Sequence, residues 1–262
     1  MTKIIWMTDP HFQSRGTIDG LDPRARLAAA IDHANLHHGD ADMAVISGDL
    51  VGDDVAADYL VIAQYLGRFK MPVYPLMGNN DSRYPFREHL PLPDDAMPDF
   101  IQYAVEMNSG ILLGLDTHMT GSHAGELCAA RTGWLAAQLA KYSGKPVYIF
   151  MHHPPLALHL PPQDEIMLQD GAGLVSLLKQ HRNVQYLFLG HVHRPTSGVV
   201  AGIPFSTLGA LSFQAPAPRP DLNWDRFQPH QEAPHYAVVH IDNGTVVIQH
   251  THFCDYALGV TS

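Results

Sequence analysis

Val184-Gln185-Tyr186-Leu187-Phe188-Leu189 runs straight into Gly190-His191-Val192-His193. A short apolar run closed by glycine reads as a buried strand leading into a loop. Two histidines therefore stand just past a strand end. The same arrangement recurs four times upstream. Lys3-Ile4-Ile5-Trp6-Met7 precedes Asp9-Pro10-His11, and Met43-Ala44-Val45-Ile46 precedes Gly48-Asp49. Pro72-Val73-Tyr74-Pro75-Leu76 precedes Gly78-Asn79-Asn80-Asp81, and Val147-Tyr148-Ile149-Phe150 precedes His152-His153-Pro154-Pro155. Sheet proteins that bind ligands place their sites at strand ends of this kind. Taken singly, each residue has an ordinary reading: a hydrogen-bonding histidine, a capping aspartate or a turn asparagine. Five such segments, each behind a strand, carry far more weight than any one of them.

The rest of the chain alternates helix and strand. Asp22-Pro23 reads as an N-cap and first helical position, opening a helix through Arg24 to His37. Residues 54–69 read as a second helix, stopped before Met71-Pro72. Thr132 is placed to cap a third, with Trp134, Leu135 and Leu139 on one face. Asp170 is placed to cap a fourth, running to His181. Two β-hairpins follow, turning at Ala201-Gly202 and at Asp242-Asn243-Gly244, where Asn-Gly is the stronger signal. The expected fold is α/β, with two stacked mixed sheets and helices outside. Two Pro-rich segments break the pattern, residues 84–100 and residues 214–234, the latter with Trp224 and Phe227. Long irregular segments in a compact domain often serve as lids or contact surfaces.

The order D-x-H, G-D, G-N-x-D, H, G-H-x-H resembles the calcineurin-like metallophosphoesterases, and it is matched over residues 9–193. The nearest likeness is to the branch with bacterial glycerophosphodiesterases and class III cyclic-nucleotide phosphodiesterases. Phe12-Gln13-Ser14-Arg15-Gly16, Gly133-Trp134-Leu135 and Ser206-Thr207-Leu208 extend the resemblance over most of the chain. It implies a four-layer αββα sandwich and a binuclear metal site. By its pattern Asp9, His11 and His193 bind one ion, Asn79, His152 and His191 bind the other, and Asp49 bridges both. Two ions about 3.5–4 Å apart clamp a phosphoryl group and generate a hydroxide nucleophile. The mixed imidazole, carboxylate and amide set suits Mn, Fe, Co or Zn rather than Ca. His153, beside a ligand, is a candidate for orienting the site or delivering a proton.

Two departures from the family pattern concern the substrate side. Asn80 stands where the family has a histidine that binds phosphate and protonates the leaving group. An amide can hydrogen-bond a phosphoryl oxygen but cannot transfer a proton near neutral pH. Phe213 stands near another substrate-contacting histidine of the glycerophosphodiesterases. Three consequences stay open. The leaving group departs unprotonated, or His153, His123 or a metal-bound water supplies the proton, or the substrate is not the usual one.

Composition narrows the function classes. The 262 residues carry a formal net charge of −10, against binding a long nucleic acid, which needs a basic surface. Two cysteines, Cys128 and Cys254, are too few for a disulfide framework. Neither a signal peptide nor an 18-residue apolar span is visible, so a cytoplasmic protein off the membrane is expected. The leading expectation is a metal-dependent hydrolase of a small soluble phosphodiester, in one domain spanning residues 1–262 and assembled as a homo-oligomer. The Pro-rich stretch 214–234 is its cap or interface. The alternatives are a phosphomonoesterase or nucleotide pyrophosphohydrolase of the same fold, or a non-catalytic scaffold.

Overall fold

The computed structural model describes residues 1–52 and 56–258. The strands are β1 (Thr2–Met7), β2 (Met43–Ser47), β3 (Val73–Leu76), β4 (Tyr103–Met107), β5 (Gly110–Leu115), β6 (Val147–Met151), β7 (Val184–Leu189), β8 (Ser197–Val200), β9 (Ile203–Thr207), β10 (His235–Asp242) and β11 (Thr245–His252). The helices are α1 (Pro23–His37), α2 (Ala56–Leu66), α3 (Arg83–His89), α4 (Ala129–Lys141), α5 (Pro161–Asp164) and α6 (Gly171–Leu178). They form two mixed sheets with orders β11-β10-β1-β2-β3 and β4-β5-β6-β7-β9-β8.

Two apolar clusters fix the layers. Strand side chains alternate across a sheet. In the second sheet Leu112, Tyr148, Phe150 and Phe188 therefore face the first sheet, while Ile111, Leu113, Ile149 and Leu187 face α4 and α6. Trp6 of β1 meets Phe188 edge-on at 5.2 Å, and Phe188 stacks on Phe150 at 4.2 Å. Leu27, Ile31 and Ala34 of α1 and Ile62 and Leu66 of α2 cover the first sheet. The result is helix, sheet, sheet, helix, as expected. β1, β2 and β3 run parallel, as do β5, β6, β7 and β9, so the loops bearing the sequence motifs leave from carboxyl ends in both sheets.

Asp22 caps α1, accepting from the Arg24 and Ala25 amides, and Asp170 caps α6 through Gly173. Both hairpins form about their expected turns. The second helix begins at Ala56 in the described residues; positions 54 and 55 of the expected range lie outside them.

Other expectations are corrected. Thr132 lies inside α4, whose N-cap is Cys128, and its Oγ1 donates to the Leu127 carbonyl. The start moves back because buried Arg131 is drawn inward to the carbonyls of Asp116 and His118. α6 stops at Leu178, its last buried residue, and does not reach His181. Residues 84–100 are not wholly irregular, since α3 occupies their start. Pro85 falls in its first turn, where a missing N–H breaks no helical bond. The hairpin β4–β5 was not anticipated; its turn, Asn108-Ser109, lacks the Asn-Gly signal.

Candidate metal centre

Five loops bring the motif side chains together. The metal-capable atoms of Asp9, His11 and His193 lie within 4.8 Å of one another, as do those of Asp9, Asp49 and His152. His11 Nε2 and His193 Nε2 are 3.0 Å apart, and His193 Nε2 is 3.3 Å from Asp9 Oδ1. Nitrogen and oxygen donors converge there at spacings that a shared cation would explain.

Backbone conformation points the same way. Asp9, His11, Asp49, His191 and His193 all have positive φ, between 43° and 74°. That region costs an ordinary L residue roughly 1–2 kcal/mol, and such strain concentrates at functional sites. The neighbouring glycines let the loops approach. A Cβ on Gly78 would fall 2.1 Å from Asp49 Oδ1, and one on Gly48 would fall 2.4 Å from His152 Nδ1.

The ring nitrogens are oriented by groups behind them. His152 Nδ1 donates to the Ser47 carbonyl at 2.8 Å, and His193 Nδ1 donates to the Phe213 carbonyl at 2.8 Å. In each case Nε2 is the nitrogen turned toward the carboxylates, the usual orientation of a metal-binding imidazole. The Asn79 amide gives its NH₂ to Asn80 Oδ1 and His123 Nδ1. Its Oδ1 is buried with no hydrogen-bond partner among the described residues, and so are Asp9 Oδ1 and His191 Nε2. Buried polar atoms without partners cost about 1–3 kcal/mol each. All three belong to the expected ligand set. The residues present therefore fit a metal pair.

Charge follows the same logic. Burial alone would raise Asp49, yet His152 and His11 hold it well below the carboxylate range. Burial drives His152 down, but Asp49 and Asp9 outweigh it and leave that imidazole at about 9. His191, buried and beside His152, falls to about 3, and His11, also lowered chiefly by burial, to about 4. Paired carboxylates in the interior demand positive charge, which a metal ion supplies.

The remaining predicted residues are placed less uniformly. Asn80 spans two candidate ligands: its amide is 3.1 Å from His11 Nδ1 and 3.4 Å from Asp49 Oδ2, and its backbone N–H donates to Asp49 Oδ1. His153 is fully buried, with Nδ1 against the Thr117 hydroxyl and Nε2 against the His123 carbonyl. Phe213 packs on His193 at 4.4 Å and on His11 at 5.7 Å. A cavity of about 480 Å³ opens over these groups and is lined by Asn79, Asn80 and Phe213, then by His123, Gln163, Ile166, Trp224 and Phe227.

Sequence reasoning missed three contributors. Asp81, quoted with its motif but given no role, accepts from the backbone of Leu50, Val51 and Gly78, tying the Asp49 and Asn79 loops together. Burial and the Asp49 charge push its carboxyl up to about 7. The aspartate of Gly-Asn-Asn-Asp was the available signal. Gln163 and Ile166 carried none, because Pro161-Pro162-Gln163 matches no motif.

These observations agree with comparison to known proteins. The calcineurin-like phosphoesterase family model matches residues 2–195, and the chain belongs to that family. It is 36% identical over 97% of its length to a Rhodopseudomonas palustris protein named "Probable cyclic nucleotide phosphodiesterase", covering 92% of that protein. It is 31% identical over 80% of its length to a glycerophosphodiester phosphodiesterase of Enterobacter lignolyticus, covering 77% of it. In fold it is similar to a dimetal phosphatase from Danio rerio, with a TM-score of 0.72 at 14% identity over 97% of both chains. Among the described residues no helix is long and apolar enough to cross a membrane.

Proposed function

We propose that the chain is a binuclear metal-dependent phosphodiesterase acting on a small phosphodiester, whether a cyclic nucleotide, a glycerophosphodiester or a related phosphonate ester. The observation that carries this reading is the set of buried atoms on Asp9, Asn79 and His191 that have no hydrogen-bond partner among the described residues and lie beneath one cavity. Asp9, His11 and His193 form one ligand set, Asn79, His152 and His191 the other, and Asp49 serves both. Manganese, iron, cobalt and zinc all match these donors. When bound, such ions supply Lewis-acid polarisation of a phosphoryl oxygen and a water acidic enough to attack phosphorus.

The chain's own residues supply position. Ser47 and Phe213 fix the tautomers of His152 and His193 through their carbonyls. Asn80 holds His11 and Asp49 in place, and its amide is suited to binding a phosphoryl oxygen without transferring a proton. His153, with both ring nitrogens engaged, braces the loop of His123. Residues 214–234 act as a cap, since Trp224 and Phe227 line the cavity. The names of the two relatives favour diesters over monoesters.

The test is turnover of bis(4-nitrophenyl) phosphate against 4-nitrophenyl phosphate by purified protein supplied with Mn²⁺. The diester is expected to react at least about 10-fold faster. A preference for the monoester would move the protein to the phosphomonoesterase reading, and no turnover of either would favour a scaffold.

A further inference from the structure

The cavity is chemically divided. One part carries the candidate ligands with Asn80 and Phe213; the rest is walled by Ile166, Trp224 and Phe227, with the His123 imidazole and the Gln163 amide as its polar groups. Gln163 is 5% exposed, and its Oε1 is buried with no hydrogen-bond partner among the described residues. An amide oxygen in that state, on the wall of an apolar pocket, has an unmet hydrogen bond that a water or a ligand can supply. Trp224 and Phe227 lie 5.5 Å apart at 38°, and Trp224 remains 45% exposed. The indole is held in place, because its Nε1 donates to Glu165 Oε2 at 3.0 Å. That bond latches the Pro-rich segment onto the chain next to Gln163. The wall is thus two sequence-distant pieces joined so that aromatic faces and one amide look into a common space.

We propose that this part of the cavity is a nucleobase subsite, in which a base packs against Trp224 and Phe227 while Gln163 pairs with its edge. A side-chain amide presents a donor and an acceptor side by side, matching the edge of adenine. Aromatic faces hold any base by stacking. A glycerol group uses neither feature, and a choline group, which aromatic faces also bind, makes no use of the paired donor and acceptor of the amide. The subsite, resting on the phosphodiesterase reading for its ester end, selects nucleotide diesters over glycerophosphodiesters.

Two measurements separate this inference from that reading. The first is binding of AMP, which has no diester to cleave, followed by calorimetry and by tryptophan fluorescence in the Mn²⁺-supplied protein. Wild type is expected to bind with quenching, and Gln163→Met and Trp224→Leu to bind at least about 10-fold more weakly. The second is kcat/KM for cyclic AMP, glycerophosphocholine and bis(4-nitrophenyl) phosphate. Gln163→Met is expected to raise KM for cyclic AMP at least about 10-fold and to leave glycerophosphocholine unchanged. Circular dichroism of each variant checks that it folds. Binding of AMP that depends on Gln163, without turnover of any diester, would uphold the subsite and sink the phosphodiesterase reading. Turnover with AMP binding unaffected by either substitution, or equal losses on all three diesters, would overturn the subsite alone.

Discussion

Asn79 and Asn80 are adjacent amides with different tasks. Asn79 turns a bare oxygen toward the centre and Asn80 bridges His11 and Asp49. A neutral amide binds a cation less tightly than a carboxylate does. An ion held, as proposed, by Asn79, His152 and His191 is therefore expected to be substoichiometric after dialysis, and Asn79→Asp to raise its retention. Elemental analysis of both proteins gives the answer; two tightly retained ions in the wild type would show that the amide is no weak point. Asn80 leads to a kinetic expectation. Proton transfer to a poor leaving group is worth roughly 10²–10⁴-fold. Rates should depend steeply on leaving-group pKa, fast for nitrophenyl diesters and slow for alkyl ones. Asn80→His should flatten that slope, and a shallow slope in the wild type would mean that another group already donates. At this scale the seven candidate ligands were picked out by the order of motifs that resembles the family's, each motif lying just past an apolar strand. The tasks of Asn80 and His153 were not, since they depend on what lies across the loop: His11 and Asp49 for one, Thr117 and His123 for the other.

Elements deliver these residues, and glycines set how closely. Since a Cβ on Gly78 would collide with Asp49, Gly78→Ala is expected to displace that carboxylate, and a misplacement near 1 Å costs roughly 10²-fold in rate. Circular dichroism should show a folded protein and elemental analysis a lowered metal content; full metal and full rate would mean the loops move freely. A second expectation sits on the β10–β11 hairpin, far from the metal centre in sequence. Buried His235 is lowered to about 4, first by burial and then by His250 and His252, with Glu232 pulling the other way. Below pH 6.5 the unfolded chain gains a proton that the folded chain refuses until about pH 4. Stability should thus fall as pH drops through that window, by about 3 kcal/mol at most from this group. His235→Gln should lessen the slope in urea titrations between pH 7 and 4.5; an unchanged slope would assign the acid sensitivity elsewhere. Elements with strong local signals, such as Asp22-Pro23 or Asn243-Gly244, were readable. The start of α4 was not, because buried Arg131 sets it through tertiary contacts.

At the scale of the whole molecule, two sheets meet across one aromatic core and send their parallel strand ends to the same rim. That convergence makes residues as distant as Asp9 and His193 neighbours. The stacked sheets were readable from apolar strands alternating with helices, and the four layers from the family resemblance. The make-up of the cavity wall did not, since Gln163 and Trp224 approach through irregular segments whose pairing no periodicity encodes. The central claim is that the seven side chains form one two-metal centre around Asp49. It is tested most directly by elemental analysis of wild type and Asp49→Ala, both supplied with Mn²⁺ and desalted, together with bis(4-nitrophenyl) phosphate turnover. Wild type is predicted to carry more than one ion per chain and to turn over the diester, while folded Asp49→Ala loses both ions and at least about 10³-fold in rate. An Asp49→Ala protein that keeps its metal and its turnover would contradict the account.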